Sequence, residues 1–431
     1  MTLKPDGYLP RLLDPIVERR LAGFGALEIV GAKFCGKTWT AQTHGDSIVR
    51  LDNPQTRQIV EAEVELALDG EQPHIIDEWQ DVPGVWDAVR RSVDDAGNSK
   101  GMYLLTGSST VDKSKVSHSG TGRIASVCMR SMSLSELGVS DRKISLAGLF
   151  EGEFKSYAVD TSLKQLADCI CVGGWPASIG VDKDVAIDLP SQCIDALCNV
   201  SAVKSGLDPS NTRSVAISLA RNMGKAVTYK TLYNDSLGMS YGPTTDEDVM
   251  RQRLYPYMRF LKDQYFIEEQ PGWDAPVKSR SRVRTNPRRC FADPSLPAAL
   301  LGLSQERLLR EGQLFGNLFE ELCLHDLRIY ASAMNNIPEP EVRYYSDADG
   351  LEVDAIIELP DGRWGAFEVK LGDSKVPEAE KSLIRLRDKV MRNPAARNPE
   401  PSVMAVIVGN AGFARKLDSG VCVVPITSLT A

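Results

Sequence analysis

Short apolar runs alternate with amphipathic stretches over the first 135 or so residues of the chain. The apolar runs are at 26–31, 47–51, 74–77, 102–106 and 124–129. Between the second and third runs, residues 56–68 carry apolar side chains at three-to-four spacing, as an amphipathic helix does. Strands that alternate with helices are typical of a parallel sheet. The pattern therefore predicts one α/β domain in this part of the chain.

The pattern changes after residue 140, where helical stretches interrupted at residues 173–176 lead to about residue 205. Three further helices and one short apolar strand are then predicted, at 214–223, 229–237, 246–266 and 265–270. A Pro-Gly turn follows at 271–272. Helices followed by a short strand favour a winged-helix-like segment.

A second α/β pattern occupies the last third of the chain. It opens with a long predicted helix, 314–331, followed by predicted strands at 341–345, 352–359, 364–370 and 402–408. The turn at 360–363 joins two of these strands as a hairpin. The predicted fold class is α/β, with a domain at 1–140, a helical lid or linker at 141–210, the winged-helix-like segment at 211–275 and a second α/β domain at 276–431.

Length, composition and charge agree with a multidomain globular protein. The chain has 431 residues, of which 42% are hydrophobic and 25% charged, and this length predicts two or three domains. A net charge of -8 argues against a chain coated in nucleic acid but leaves a local basic groove open. The nine cysteines are scattered and lack zinc-site spacing. With no apolar signal segment and no run near the roughly 20 residues that span a bilayer, we expect a cytoplasmic protein without a membrane partner.

One loop carries a complete phosphate-binding pattern. Residues 31–38, here called the phosphate loop, match G-x-x-x-x-G-K-[ST], and they are Gly31, Ala32, Lys33, Phe34, Cys35, Gly36, Lys37 and Thr38. A predicted strand precedes the loop and a helical stretch follows it, which is the context that this motif requires. The glycines let successive N–H groups turn toward a phosphate, and the helix N-terminus adds partial positive charge. We expect ATP here, with Lys37 at the β- and γ-phosphates and Thr38 on Mg²⁺.

Two acids about forty residues later strengthen this prediction. Asp77 and Glu78 end the apolar run Pro73-His74-Ile75-Ile76, so that Asp77 is placed to hold Mg²⁺ through water. Glu78 is then the expected base for the attacking water. A solvated acidic turn is the alternative for Asp77 and Glu78, and a chance glycine turn is the alternative for the phosphate loop itself.

Three further side chains are candidates for sensing or stabilising the γ-phosphate. Ser108, with Thr106 as the second choice, follows a strand expected to lie between the two motif strands, although a plain serine-rich loop is the alternative. Arg123 offers a guanidinium that could stabilise a transferring phosphoryl group in cis or from a neighbouring subunit. A surface salt bridge is the alternative for Arg123. A role in trans would require an oligomer.

With these residues in place, the chain resembles a bacterial and archaeal family of AAA-type ATPases that carry a C-terminal domain called DUF4143. The resemblance rests on G-A-K-F-C-G-K-T, I-I-D-E-W-Q, L-L-T-G-S-S, and G-R followed by M-S-L-S-E-L. It continues through C-V-G-G-W-P, F-G-N-L-F-E-E-L, and E-V-D paired with F-E-V-K. The family often has arginine where Lys33 stands and a second threonine where Trp39 stands, and neither is a phosphate ligand. The resemblance implies an ATP-binding AAA-like module, a winged-helix-like segment and a fold similar to PD-(D/E)xK nucleases.

That similarity implies a second candidate site, here called the C-terminal centre, formed by Glu320, Asp354, Glu368 and Lys370. Nucleases of this type need two acids to share a divalent metal beside a lysine. Glu368 and Lys370 share a strand face, and the hairpin can bring Asp354 alongside them. Asp354 and Glu368 are the expected ligands of Mg²⁺ or Mn²⁺, with Glu320 as an accessory acid and Lys370 as activator of water. Cross-strand ion pairs on a hairpin face are the alternative.

A basic cluster is the sequence feature that points to DNA. It comprises Lys278, Arg280, Arg282, Arg284, Arg288 and Arg289, with no acid among them, and the first four alternate as on one strand face. A charged edge strand that prevents aggregation is the alternative. Three hypotheses follow: an Mg-ATP-dependent ATPase that positions its C-terminal domains on DNA or another partner, an ATP-regulated nuclease, or a non-cleaving switch that binds protein partners.

Overall fold

The computed structural model describes residues 3–109, 120–242, 244–274, 286–334, 339–394 and 396–431. The chain forms two compact units. The first comprises Met1–Ser131, Trp175–Ala177 and Leu261–Phe266, and the second comprises the remaining residues. Among the residues described, no helix has both the length and the apolar character that crossing a membrane requires.

The first unit is built on a parallel five-stranded sheet. Its elements are α1 (Asp14–Gly23), β1 (Ala26–Val30), α2 (Lys37–His44), β2 (Ser47–Arg50), α3 (Pro54–Ala62), β3 (His74–Asp77), α4 (Gly84–Asp95), β4 (Tyr103–Gly107) and β5 (Ile124–Cys128). The strand order is β2-β3-β4-β1-β5, and every neighbouring pair is parallel. The carboxyl ends of β1, β3 and β4 therefore meet at one edge, with β4 between the other two.

The five strands agree with the predicted runs to within one residue at each end, because the runs are largely apolar and, except in β2, mostly buried. The helix predicted at 56–68 differs. Asn53 caps the earlier start at Pro54 by accepting hydrogen bonds from Gln55 N and Thr56 N. The α-helix ends at Ala62 since Glu63 is extended, and a short 3-10 helix, Val64–Leu68, completes the segment.

The rest of the chain contains more elements than were predicted. In chain order they are β6 (Ile144–Ser145), α5 (Leu146–Phe150), β7 (Tyr157–Ala158), α6 (Leu163–Val172), α7 (Lys183–Ala186), α8 (Leu189–Ala196), α9 (Ala202–Lys204), α10 (Pro209–Arg221), α11 (Tyr229–Asp235), α12 (Gly238–Tyr241), α13 (Glu247–Asp263), β8 (Ile267–Gln270), β9 (Arg288–Phe291), α14 (Ser295–Leu300), α15 (Gln305–Arg310), α16 (Gly312–Ala333), β10 (Val342–Ser346), β11 (Glu352–Glu358), β12 (Trp364–Gly372), α17 (Val376–Met391), β13 (Val403–Asn410), β14 (Phe413–Lys416), β15 (Cys422–Pro425) and β16 (Leu429–Thr430).

The second unit contains a seven-stranded mixed sheet of order β10-β11-β12-β13-β15-β14-β7. β10, β11 and β12 are antiparallel neighbours, whereas β12, β13 and β15 are parallel. The predicted turn closes the β11–β12 hairpin, with Leu359 N donating to Arg363 O at 2.7 Å. α17 covers one face through Ala379, Leu383 and Leu386, which lie in a buried cluster with Val406 and Val423.

The segment predicted to resemble a winged helix contains α10, α11 and α13, and β8 and β9 pair antiparallel after them. Residues 275–285, which connect β8 to β9, lie outside the described residues. The winged-helix-like character of the segment and the bounds of the four predicted domains remain predictions.

Candidate functional site

The phosphate loop connects the end of β1 to the start of α2 with a backbone that requires glycine at its first residue. Gly31 has φ +148° and Gly36 has φ +104°, both in the region that L side chains rarely adopt. A Cβ atom on Gly31 would lie 2.0 Å from the carbonyl oxygen of Met129, which follows β5. Met129 N in turn donates to Val30 O at 2.7 Å. The close approach of the Met129 backbone to Gly31 therefore constrains the turn at which the phosphate loop leaves β1.

The Lys37 side chain folds back over this loop. Its Nζ donates to Gly31 O at 3.0 Å and to Ala32 O at 2.9 Å, and the residue is buried. The ammonium group therefore lies against the loop that begins α2. Glycine-shaped backbone, a helix N-terminus and this ammonium group together fit the phosphates of a nucleotide.

A buried arginine that sequence reasoning missed supports the same loop. The Arg11 guanidinium donates to Cys35 O at 3.0 Å and to Arg130 O at 2.8 Å. It therefore ties the loop to the segment after β5. No local pattern marks Arg11, because its partners are 24 and 119 residues away in the chain.

Asp77, at the carboxyl end of β3, receives hydrogen bonds from two threonines. Thr38 Oγ1 donates to Asp77 Oδ1 at 2.9 Å, and Thr106 Oγ1 of β4 donates to the same oxygen. Burial raises the pKa of Asp77 above its ordinary value, and the two hydrogen bonds only partly offset that effect. The structure brings Thr38 and Asp77 together, as a shared Mg²⁺ site requires. Thr106, the second choice as sensor, holds Asp77.

Glu78 lies beside Asp77 with its backbone at φ +55°. Ser108 Oγ donates to Glu78 Oε2 at 2.9 Å, and the Gln80 amide donates to the same oxygen. The predicted sensor Ser108 is buried and lies at the carboxyl end of β4. Gln80 was not identified from the sequence. The one signal that could have found it is its position two residues after Glu78.

The structure does not bring Arg123 to the phosphate loop. Arg123 immediately precedes β5, and Ala26 N, at the start of β1, donates to its carbonyl oxygen at 3.0 Å. It is therefore at the amino edge of the sheet, a strand length of roughly 16 Å from the loop. Its Nε pairs with Asp94 Oδ1 at 2.7 Å, and the side chain is 45% exposed. The expected role in cis is thus corrected to a surface ion pair, and a role in trans stays a prediction.

In the second unit, the β11–β12 hairpin brings three residues of the C-terminal centre together. Lys370 Nζ is 2.6 Å from Glu368 Oε2 and 3.4 Å from Asp354 Oδ2. Val369 N also donates to Asp354 Oδ2, at 2.8 Å. Burial opposes the charge of Lys370, yet the charges of Asp354 and Glu368 raise its pKa.

Glu320, on α16, belongs to the same electrostatic cluster. Burial, followed by the charge of Asp354, raises the pKa of Glu320 to about 8, although Arg288 opposes the shift. The buried Arg288 guanidinium is 3.5 Å from Glu320 Oε1 and 3.1 Å from Glu352 Oε1. Burial and the charge of Asp354 also raise the pKa of Glu368 well above its ordinary value. In the described part of the chain, no three or more His, Cys, Asp or Glu side chains are arranged to hold a metal. Lysine and arginine balance these acids in the structure.

The basic cluster is only partly visible. Lys278, Arg280, Arg282 and Arg284 lie outside the described residues. Arg288 is directed into the ion-paired cluster and lies 4.4 Å over the Tyr344 ring, so it is not available on the surface. Arg289 donates to Val227 O at 3.3 Å. The expectation of a basic surface is therefore wrong for Arg288.

Comparison with known families identifies three regions of the chain. The AAA domain matches residues 24–138, and the domain of unknown function DUF4143 matches residues 315–429. A further domain of unknown function, DUF8612, matches residues 163–307. A comparison with curated proteins found no match.

Matches among solved structures include a Walker-type ATPase and a branch migration motor. A Walker-type ATPase of Pyrococcus abyssi is 12% identical, covers 70% of this chain and 98% of its own, and has a TM-score of 0.45. The RuvB Holliday junction branch migration motor of Thermotoga maritima is 15% identical, covers 63% and 94%, and has a TM-score of 0.27. Likeness at this level says nothing about the substrate or partners of this chain.

Proposed function

We propose that this chain, which matches the AAA domain at residues 24–138 and DUF4143 at residues 315–429, binds and hydrolyses Mg-ATP. One observation carries the proposal. The phosphate loop, Thr38, Asp77 and Glu78 converge at the carboxyl edge of a parallel sheet, where α/β proteins bind their ligands.

Each residue has a role that follows from its chemistry. The loop N–H groups and the Lys37 ammonium group bind the phosphates, and Thr38 with Asp77 holds Mg²⁺, which neutralises phosphate charge. Glu78 accepts a proton from the water whose oxygen bonds to the γ-phosphorus, while the bond from that phosphorus to the β–γ bridging oxygen breaks. The products are ADP and inorganic phosphate. Ser108 orients Glu78 through its 2.9 Å hydrogen bond.

Phosphate release tests this function. Lys37→Ala removes the ammonium group from the loop, so turnover should fall at least about 100-fold. Lys100→Ala removes an exposed lysine of the same unit and is the matched control. Turnover in Lys37→Ala equal to that of the control would sink the proposal.

We further propose that the nucleotide state controls the C-terminal half of the chain. The second candidate function is an ATP-gated, metal-dependent DNA nuclease. It is favoured by the proximity of Asp354, Glu368 and Lys370. These residues lie in a segment that runs from the helix α16 through the antiparallel strands β10, β11 and β12 to the helix α17 and the strand β13, which is parallel to β12. Asp354 and Glu368 would hold Mg²⁺ or Mn²⁺, with Glu320 as the accessory acid and Lys370 beside the scissile phosphate. A metal would have to displace the ammonium group of Lys370 from between Asp354 and Glu368.

A non-cleaving switch that binds a protein partner is the remaining alternative. The ion pairs that already balance Glu320, Glu368 and Asp354 favour it. Incubation of plasmid DNA with Mg²⁺ or Mn²⁺ and ATP separates the two. Cutting by the unmodified protein and none by Asp354→Ala supports the nuclease. No cutting on any DNA substrate supports the switch, and cutting by both proteins indicates a contaminant.

A further inference from the structure

The carboxylate of Glu78 is held on one oxygen by donors from two different elements. Ser108, at the end of β4, donates to Oε2 at 2.9 Å, and the Gln80 amide donates to the same atom. Gln80 Nε2 is also 3.5 Å from Ser108 Oγ. Both of these hydrogen bonds to the Glu78 carboxylate fall on Oε2, and neither involves Oε1. The protein therefore holds the carboxylate by one of its two oxygens.

The turn that carries Gln80 is fixed on both sides. Gln80 belongs to the 3-10 turn Trp79–Asp81, in which Asp81 N donates to Glu78 O at 3.0 Å. Trp79 is buried and donates through Nε1 to Glu28 Oε1, in β1, at 3.1 Å. The turn is thus anchored to β1, which lies next to the central strand β4. The hydrogen bonds of Trp79 and Asp81 therefore hold the backbone from which the Gln80 amide contacts Glu78.

The amide oxygen of Gln80 indicates that the contact with Glu78 sets the orientation of the amide group. Gln80 Oε1 is buried and has no hydrogen-bond partner among the described residues. It lies 3.1 Å from the position that a Cβ atom on Gly107 would take. Leaving a buried carbonyl unpaired costs free energy. The amide nevertheless keeps its N–H groups on Glu78, because a hydrogen bond to a charged carboxylate is among the stronger ones.

We infer that Gln80 is a positioning residue for Glu78 in ATP hydrolysis. Together with Ser108 it holds Oε2, so that Oε1 faces the water and accepts its proton as the oxygen of that water bonds to the γ-phosphorus. The bond from this phosphorus to the β–γ bridging oxygen breaks in the same step. This inference rests on the proposed ATPase function and adds a residue that acts through Glu78 without touching the nucleotide.

Substitutions that keep size but change hydrogen bonding test the inference. Gln80→Met fills the same space without a donor, and Gln80→Glu replaces the donor with an acceptor. Phosphate release and binding of a fluorescent ATP analogue are measured for both. We expect kcat to fall about 10- to 100-fold in each variant, as loss of a hydrogen bond to a charged group implies, while KM and the Kd of the analogue stay within about twofold. Gln58→Met, at an exposed glutamine of α3, is the matched control.

The outcomes separate this inference from the ATPase function itself. Glu78→Gln is the reference: if it abolishes turnover while Gln80→Met keeps the kcat of the unmodified protein, the function stands and the role of Gln80 is overturned. A kcat raised by Gln80→Met also overturns it, since the contact would then restrain Glu78. If the unmodified protein has no turnover, the ATPase proposal itself fails. Should Gln80→Met not fold, Ser108→Ala removes the partner donor, and an unchanged kcat there contradicts the shared hold on Oε2.

Discussion

The hydroxyl of Thr38 donates a 2.9 Å hydrogen bond to the carboxylate of Asp77, which is 39 residues away in the chain. This contact joins the first turn of α2 to the end of β3, and Thr106 donates to the same Asp77 oxygen from β4 between the motif strands. Three elements thus meet at one carboxylate. Thr38 and Asp77, the two side chains expected to hold Mg²⁺, are therefore hydrogen-bonded directly to each other.

Removing this hydroxyl should weaken the use of Mg²⁺. Thr38→Val keeps the shape of the side chain and loses the hydrogen bond, which is worth about 1.5–3 kcal/mol when the acceptor is charged. We expect the Mg²⁺ concentration for half-maximal phosphate release to rise about 10- to 100-fold. Thr38→Ser keeps the hydroxyl and should stay near the unmodified protein. An unchanged Mg²⁺ requirement in Thr38→Val would rule out Thr38 as a ligand.

Gly31 should tolerate no side chain. Gly31→Ala places its Cβ 2.0 Å from Met129 O at a φ of +148°. The strained backbone costs about 1–2 kcal/mol and the overpacking about 1–3 kcal/mol more. Chemical denaturation should therefore show a loss of roughly 2–5 kcal/mol in the free energy of unfolding.

Gly97 provides the matched control for that substitution. Its φ is +66° and nothing lies within 4 Å of the position that a Cβ would take. Gly97→Ala should cost about 1–2 kcal/mol from backbone strain alone. Equal losses in the two variants would show that the contact with Met129 does not constrain the loop.

Glu320 should make the stability of the protein depend on pH. Its pKa is about 8 in the folded chain and 4.5 as the ordinary value, so the folded state binds more protons between these limits. Stability therefore falls as pH rises through this window, by on the order of a few kcal/mol. Glu320→Gln is neutral throughout and should be less sensitive to pH over the same range in metal-free buffer.

Thermal unfolding from pH 5 to 8 measures this difference. Glu306→Gln is the matched control, because Glu306 is 81% exposed and its ion pair with Arg310 lies on the surface. The control should keep the pH dependence of the unmodified protein. If Glu320→Gln kept the same pH dependence too, Glu320 would not be the group that causes it.

The sequence predicted the strands well because buried parallel strands are continuous apolar runs, such as Ile75 and Ile76 in β3. It also predicted that Thr38 and Asp77 would serve the same Mg²⁺, and the structure brings the two side chains into contact because β1 and β3 end at the same edge of the sheet. Arg11 and Gln80 required tertiary structure. Arg11 lies just before α1 and donates a hydrogen bond to the phosphate loop. Gln80 lies in the 3-10 turn after Glu78 and donates a hydrogen bond to it.

Arg123 shows an error that the sequence could have prevented. It directly precedes the run predicted as β5, and in a parallel sheet that end lies opposite the phosphate loop. The C-terminal centre shows a different limit. The hairpin pattern predicted that Asp354, Glu368 and Lys370 would meet, but the buried Arg288 comes from β9 and carries no local signal.

Glu78→Gln tests the central claim, hydrolysis of Mg-ATP at this site, most directly because it removes the base and leaves the phosphate loop intact. Trp39 is 48% exposed and adjoins Thr38, so energy transfer to a fluorescent ATP analogue can report binding alongside phosphate release. We predict a Kd within about twofold of the unmodified protein and turnover reduced at least about 100-fold, as loss of a general base implies. Turnover equal to that of the unmodified protein, with binding intact, would contradict the account.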